Sequence, residues 1–150
     1  MNESTKKLFL ITFSLIVLIS IDQFSKYIIR QSGGFYICNE NIAFGIEVPP
    51  FIFWPAVAIT VIMLSLAFKK CFMPVCVPDN NQMPADRPSP LYLAIALAGI
   101  WSNLIDRFSF GCVIDFIDLK FWPLFNLADA MIVTGAILLI IQNFSIRTKN

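Results

Sequence analysis

No histidine occurs in this chain of 150 residues. That absence removes Ser-His-Asp triads, Cys-His dyads, His-ligated zinc and the His/Cys deaminase site together, because each needs an imidazole as base or ligand. Charge is scarce as well: 14% of residues are Asp, Glu, Lys or Arg, where soluble proteins carry about 25%. The 11 basic residues stand against 10 acidic ones, net +1, so no basic surplus is available for a nucleic-acid partner. What fills the chain instead is apolar. Hydrophobic residues make up 57%, with 15 Phe, 3 Trp and 3 Tyr, and the mean hydropathy is +0.73. Disordered chains are poor in such aromatics; this is the composition of a protein that uses lipid as its solvent. Any hydrolytic chemistry must come from Asp, Glu, Lys, Ser or Cys.

Four stretches are long and apolar: Leu8 to Ile21, free of charge, with the apolar character resuming after Asp22 as far as Ile29; and Val48 to Phe68, Pro88 to Ile105 and Ala130 to Ile146, all free of charge. A helix crosses the hydrocarbon core with about 20 residues. The second stretch suffices outright, and the others do so by absorbing a polar residue at one end, with Lys6 and Lys7 able to snorkel. The expectation is an all-α integral membrane protein, one domain over 1–150, with four transmembrane helices at 7–29, 50–68, 90–106 and 126–146. Four spans put both termini on one side. That side carries Lys6, Lys7, Lys69, Lys70, Arg87, Arg147 and Lys149, against Lys26, Arg30, Arg107 and Lys120 opposite. Excess Lys/Arg marks the cytoplasmic face, so both termini are expected inside. Acids divide the other way, with Asp22, Glu40, Glu47, Asp106, Asp115, Asp118 and Asp129 outside and Glu3, Asp79 and Asp86 inside. A cleaved signal peptide is the rival reading of the first span, but no small-x-small site follows it in Asp22-Gln23-Phe24-Ser25-Lys26. The proline-rich inner loop from Lys69 to Pro90 reads as a connector.

The outer loops are different in kind. Gly33 to Cys38 and Ile42 to Ile46 look like short strands flanking the turn Asn39-Glu40-Asn41, and Gly111 to Asp118 is also strand-like. Phe121 and Trp122 suit the headgroup layer. A small extracytoplasmic β-cradle on the membrane surface is therefore expected over the outer helix ends.

Polar residues gather at those same ends. Asp22 and Lys26 are spaced i, i+4 on the first helix, as are Asn103 and Arg107 on the third beside Asp106. Asn126 and Asp129 open the fourth, and Asp115 lies in the loop before it. Each has a bland explanation. Asp22 and Lys26 can be an ion pair, Asn126 and Asp129 a capping box, and Arg107 a snorkelling side chain. Together, three helices deliver ionisable or amide groups to one depth on one side, and intramembrane ionisable groups are functional candidates. Two facing carboxylates cannot both ionise cheaply, so they share a proton. One then activates water as general base while the other donates a proton. That is aspartic-protease chemistry, needing no cofactor, no metal and no histidine, and Asp115 with Asp129 is the expected pair. Asp129 sits in the first turn of a helix, where the dipole favours negative charge, so it is the expected ionised partner and Asp115 the protonated one.

These motifs resemble the lipoprotein signal peptidases, or signal peptidase II, over nearly the whole chain. Asp22-Gln23-Phe24-Ser25-Lys26 is similar to that family's Asp-Gln-x-x-Lys, and Asn39-Glu40-Asn41-Ile42-Ala43-Phe44-Gly45 to its Asn-x-Gly-Ala-Ala-Phe-Gly. Asn103-Leu104-Ile105-Asp106-Arg107 matches its Asn-x-x-Asp-Arg, and Gly111-x-Val113-x-Asp115-Phe116 and Phe125-Asn126-x-Ala128-Asp129 complete the set. The resemblance implies an aspartyl endopeptidase of the bacterial inner membrane that cleaves prolipoproteins before a diacylglyceryl-modified cysteine and binds globomycin-type inhibitors. It implies Asp115 and Asp129 as catalytic, and Asn103, Arg107, Asn126, Asn39, Asp22, Lys26 and Asp106 as substrate-binding or supporting. Membrane lipid is an expected partner, and a monomer is expected. The family's Gly-Ala pair is Asn41-Ile42 here, and its Gly before the third-span Asn is Ser102; neither change touches the acids.

Of the four cysteines, only Cys38 and Cys112 share the outer side, where a disulfide is chemically allowed; free thiols are the default expectation. Three rivals to the peptidase stay open. Asp115, Asp118 and Asp129 are a candidate magnesium site for a lipid or phosphate enzyme. Lys26 with Ser25, Ser102 or Ser109 is a candidate Ser-Lys hydrolase. The carboxylates are also a candidate proton relay in a small transporter.

Overall fold

The structure is a computed structural model, and it describes residues 3–41, 48–72 and 88–148. Four helices and two short strands follow in the order α1 (Glu3–Gln31), β1 (Ile37–Asn39), α2 (Pro50–Phe72), α3 (Pro90–Phe110), β2 (Val113–Asp115) and α4 (Leu127–Arg147). All four helices are long and apolar enough to cross a membrane. The strands form one antiparallel ribbon, with Ile37 opposite Asp115, Cys38 opposite Ile114 and Asn39 opposite Val113.

The ribbon differs from the expected one. Gly33 and Gly111 do not open strands; both lie at positive φ (70° and 78°) just past a helix. The Gly111 N–H returns to the Arg107 carbonyl, and the Gly34 N–H to that of Ile29. They are left-handed helix stops, a conformation that costs glycine little. β1 therefore starts only at Ile37, and among the described residues it pairs with β2. The expected strand Ile42 to Ile46 and the proline-rich loop lie outside the described residues. After β2 the chain loops out and returns through an isolated bridge between Ile117 and Phe125.

Burial runs opposite to that of a water-soluble protein. Among the described residues the largest fully buried side chains include Lys26, Asn126, Asp22, Asp106 and Asp115, while Phe9, Phe13, Ile59, Val133 and Phe144 are exposed. Polar groups pack against one another in the interior, and the apolar surface is left for lipid. α3 is the centre: it packs on α1, α2 and α4 and buries Leu93, Ala94, Ala96, Leu97, Ala98 and Gly99. Small side chains let backbones approach closely in such interfaces. A Cβ at Gly99 would meet the Ala128 carbonyl and Ile132, and one at Gly135 would fall 2.8 Å from the Ala96 nitrogen and 2.9 Å from the Tyr92 carbonyl. Those approaches bring the far half of α3 beside the start of α4, where the polar residues are. Gly135→Ala, which forces backbone apart, should destabilise the protein by about 1–3 kcal/mol, measured as a lower thermal unfolding midpoint in detergent.

Candidate active site

Lys26 is the residue from which the site is built. It lies on the inner face of α1, 2% exposed, and its ammonium has three protons and no lone pair. Three acceptors take them: Asp22 Oδ2 at 2.6 Å, Asp106 Oδ2 at 2.7 Å and Asn103 Oδ1 at 3.0 Å. The carboxylates are held in turn. Ser102 donates its hydroxyl to Asp22 Oδ2 (2.7 Å), and the backbone N–H of Ala128 donates to Asp22 Oδ1 (2.9 Å). Asp106 accepts from Gln23 Nε2 (2.8 Å) and from the Ile114 N–H (3.3 Å). One buried ion cluster thus ties α1 to α3, to the first turn of α4 and to β2.

Because Lys26 can only donate, it must face the carbonyl oxygen of Asn103. The Asn103 NH2 is then turned outward, and it donates to Asp129 Oδ1 (2.8 Å). Asn126 is oriented by the same logic. Its Oδ1 accepts the Asp129 backbone N–H (2.9 Å), and Asp129 Oδ2 accepts the Asn126 N–H (3.3 Å). That is a reciprocal capping box at the N-terminus of α4. It leaves the Asn126 NH2 to donate to Asp115 Oδ1 (2.7 Å) and Asn103 Oδ1 (3.2 Å). On β1, Asn39 Oδ1 accepts the Asn41 N–H (3.0 Å), so the Asn39 NH2 donates to Asp115 Oδ2 (2.9 Å). Three amides, each fixed by an obligatory donor, present their NH2 groups to two carboxylates. Asp115 and Asp129 are joined by the chain Asp115–Asn126–Asn103–Asp129.

Both acids open onto one cavity of about 320 Å³. Asn39, Asn41, Asn103 and Arg107 complete its polar end, and Phe53 and Val57 of α2 with Ile132 and Val133 of α4 form apolar walls. Trp122 to Phe125, from the loop after β2, close another side. Arg107 does not reach either acid; it donates to the carbonyls of Glu40 (3.1 Å) and Asn41 (2.7 Å) and lies over the Phe53 ring. Its work here is to hold the segment after β1 and the start of α2 against α3. Asp115 is pushed up to about 6, first because burial penalises its charged form; the N–H groups of Asn39 and Asn126 pull it down and the Asp129 charge pushes it up.

All nine residues expected from the sequence meet at this end of the bundle. Asp22, Lys26 and Asp106 form the buried support, Asn103, Asn126 and Asn39 the amide frame, and Asp115 and Asp129 the cavity acids. Two further members were not anticipated. Gln23 donates to the Ser102 carbonyl and hydroxyl as well as to Asp106, and Ser102 adds a donor to Asp22. Gln23 stands in the motif between Asp22 and Lys26, a usable signal; Ser102 stands in the sequence as a candidate nucleophile for Lys26 and as the replacement of a glycine, and neither gives it the role of a donor to Asp22. The cysteine default is corrected: Cys38 and Cys112 are joined in a disulfide, their Cα atoms 5.4 Å apart, because the β1–β2 register brings the two chains side by side.

The geometry also weighs against the rivals. Asp118 lies outside the cavity lining, held by Lys120 Nζ (2.6 Å) and the Lys120 N–H (2.8 Å). Lys26 is an ammonium with its protons committed to two carboxylates and an amide, not a base for a serine. Among the described residues, the buried ionisable groups gather at one end rather than along the spans.

The chain was compared with known proteins. Residues 14–145 match the family model described as signal peptidase (SPase) II. The lipoprotein signal peptidase of Moorella thermoacetica is 37% identical over 139 residues, covering 83% of this chain and 85% of the relative. That of Syntrophomonas wolfei is 34% identical over 142 residues, covering 85% and 88%. Among solved structures, a bacterial membrane enzyme determined by the in meso method at 2.3 Å superposes with a TM-score of 0.70 at 26% identity, covering 93% of this chain and 90% of that one.

Two outcomes test the network. Lys26→Met leaves Asp22 and Asp106 buried without their cation and should cost about 3–5 kcal/mol, read as a fall in unfolding midpoint. Asp115 binds its proton more tightly folded than unfolded, so its contribution to stability is full below about 3.8 and is lost as pH rises through about 6. Across that window the wild-type midpoint should fall relative to that of Asp115→Asn, and parallel curves would refute the assignment.

Proposed function

The chain belongs to the signal peptidase II family, aspartic-type peptidases that process lipoproteins, and from that premise we propose that Asp115 and Asp129 are its catalytic dyad. The observation that carries this reading is the amide frame, which aims fixed N–H donors at both acids inside one cavity. The proposed substrate is a prolipoprotein whose cysteine bears a diacylglyceryl group, cut on the N-terminal side of that cysteine. The apolar walls from Phe53, Val57, Ile132 and Val133 suit a lipid-modified or signal-peptide segment, and the polar end suits a peptide bond.

In the proposed reaction a water lies between the acids. Asp129, at the N-terminus of α4 where negative charge is favoured, takes one water proton as the oxygen attacks the scissile carbonyl carbon. Asp115, protonated below about 6, gives its proton to the carbonyl oxygen. The resulting diol collapses, the C–N bond breaks, and the proton held on Asp129 passes to the leaving nitrogen while a diol proton returns to Asp115. Asn103, Asn126 and Asn39 keep the acids in register through these transfers. Asp22, Lys26 and Asp106 position Asn103, and Arg107 holds the segment beyond β1 over the site.

The protein is proposed to be one four-span domain and a monomer in the bacterial inner membrane, both termini cytoplasmic, the active site outside, and the β1–β2 ribbon serving as the cradle. The Lys/Arg asymmetry supports that orientation. So does the disulfide beside the site, since disulfides persist in oxidising compartments. Globomycin-type inhibitors are proposed to bind in the same cavity.

Purified protein should convert a diacylglyceryl prolipoprotein to the mature form in a gel-shift assay, and Asp115→Asn and Asp129→Asn should each abolish it. Processing should survive a chelator and Asp118→Ala; loss in either case would favour the metal-dependent rival. The pH profile is specific too. kcat/KM reports the free enzyme, and it should fall on the alkaline side with an apparent pKa near 6, a value belonging to the pair.

A further inference from the structure

The disulfide between Cys38 and Cys112 has no part in the reaction just described, yet its neighbours do. Cys38 precedes Asn39, and Cys112 lies three residues before Asp115. In the antiparallel register, Asn39, Val113 and Asp115 share the face that lines the cavity. Alternation along each strand puts Cys38 and Cys112 on the opposite face. The crosslink therefore backs the ribbon directly behind the contact between Asn39 and Asp115.

The two strands are not equally anchored. β2 is buried along its length and its Ile114 N–H is held by Asp106, which belongs to the ion cluster of α3. Cys112 is itself buried, one residue past the cap of α3. β1 is three residues long, its Ile37 and Cys38 exposed, after the exposed Phe35 and Tyr36. A two-stranded ribbon of this size is marginal by itself. What fixes β1 to the core is the pairing with β2, the Arg107 bonds to the next two carbonyls, and the disulfide, which closes a separation of 74 residues.

We propose that the Cys38–Cys112 disulfide is a positioning element of the active site, holding Asn39 against Asp115, so that peptidase activity depends on its being oxidised. The inference rests on the peptidase reading above. A dithiol reductant gives two electrons and two protons to the S–S bond, becoming a cyclic disulfide and leaving two cysteine thiols. Cys38, on the exposed strand, is the sulfur open to its attack. With the bond cut, Asn39 is held by non-covalent contacts alone, and Asp115 loses a donor that favours its charged form. The charged groups acting on Asp115 from the other elements, Asp129 of α4, Lys26 of α1 and Arg107 of α3, are untouched by reduction.

The test uses full-length protein in detergent, a diacylglyceryl prolipoprotein as substrate, and dithiothreitol as reductant. Reduction, and separately Cys38→Ser/Cys112→Ser, should lower kcat roughly tenfold or more, the scale of a small misplacement of a reacting group, with KM little changed. The alkaline limb of kcat/KM should move to higher pH. Asn39→Ala should reproduce both effects, and combining it with the two serines should add little, as for groups acting as one unit. Dithiothreitol should leave the double serine protein unaffected. Infrared titration of the Asp115 carboxyl, assigned with Asp115→Asn, reads the same contact without turnover. Full kcat with an unmoved limb after reduction, additive losses with Asn39→Ala, or an Asp115 titration unmoved by reduction would each overturn the proposal. An oxidised wild-type protein unable to cleave the prolipoprotein, but with an Asp115 titration that moves on reduction, would sink the peptidase reading and keep the positioning role.

Discussion

A lysine ammonium buried among acceptors is the constraint on which the rest depends. Lys26 has only protons to offer, so each group around it is compelled to present an oxygen. Two of those groups are carboxylates, which cancels the cation and leaves the trio at −1. That residual charge is met by the first turn of α4, whose Ala128 N–H points at Asp22 and whose dipole is positive there. The third group is an amide, the one acceptor that carries donors on its other side. Through Asn103, the fixed polarity of an ion deep in the bundle becomes a fixed polarity at the cavity. A second ion at that place would repel or neutralise the acid; an amide relays orientation without charge.

This arrangement suits a lipid solvent in particular. In water, exposed amides and carboxylates exchange partners with solvent, and a chain of side-chain hydrogen bonds has little reason to persist. In a bundle whose outside is apolar, each unmet donor costs its desolvation, so the network is satisfied internally and has few alternative arrangements. α3 and α4 reinforce this by meeting at Gly99 and Gly135, which sets Asn103 and Asn126 close enough for their amides to touch. Close backbone packing and the geometry of the amide frame are here one requirement.

Much of this was legible in the residues themselves. Runs without charge delimit four apolar helices, and i, i+4 and i, i+3 spacings select the polar faces, because helix periodicity is local. The capping box of Asn126 and Asp129 was legible for the same reason, though as an alternative to function. It proves to be compatible with it: the bonds that cap α4 also fix the rotamer of Asp129. What sequence could not give was non-local. Gly33 and Gly111 look like strand openings until the preceding helix is known to stop there. Nothing within Ile37 to Asn39 says that its partner is the distant strand Val113 to Asp115. The same gap hid the cysteine pairing, since proximity is a property of register. The donor role of Ser102 was hidden in the same way, because its hydroxyl meets Asp22 only once α1 and α3 are packed together.

The two acids differ in what carries them, although both open onto one cavity. Asp129 is the third residue of a helix, with a backbone N–H and a side-chain amide both donating to it and the helix N-terminus beneath. Asp115 ends a buried strand, with two amide donors, one of them Asn126 at the N-terminus of α4, and little solvent. Burial raises the proton affinity of Asp115. Exchanging the two settings would need a helix start at β2 and a strand at α4, so the order of elements, and not merely the presence of two aspartates, determines the surroundings of each acid.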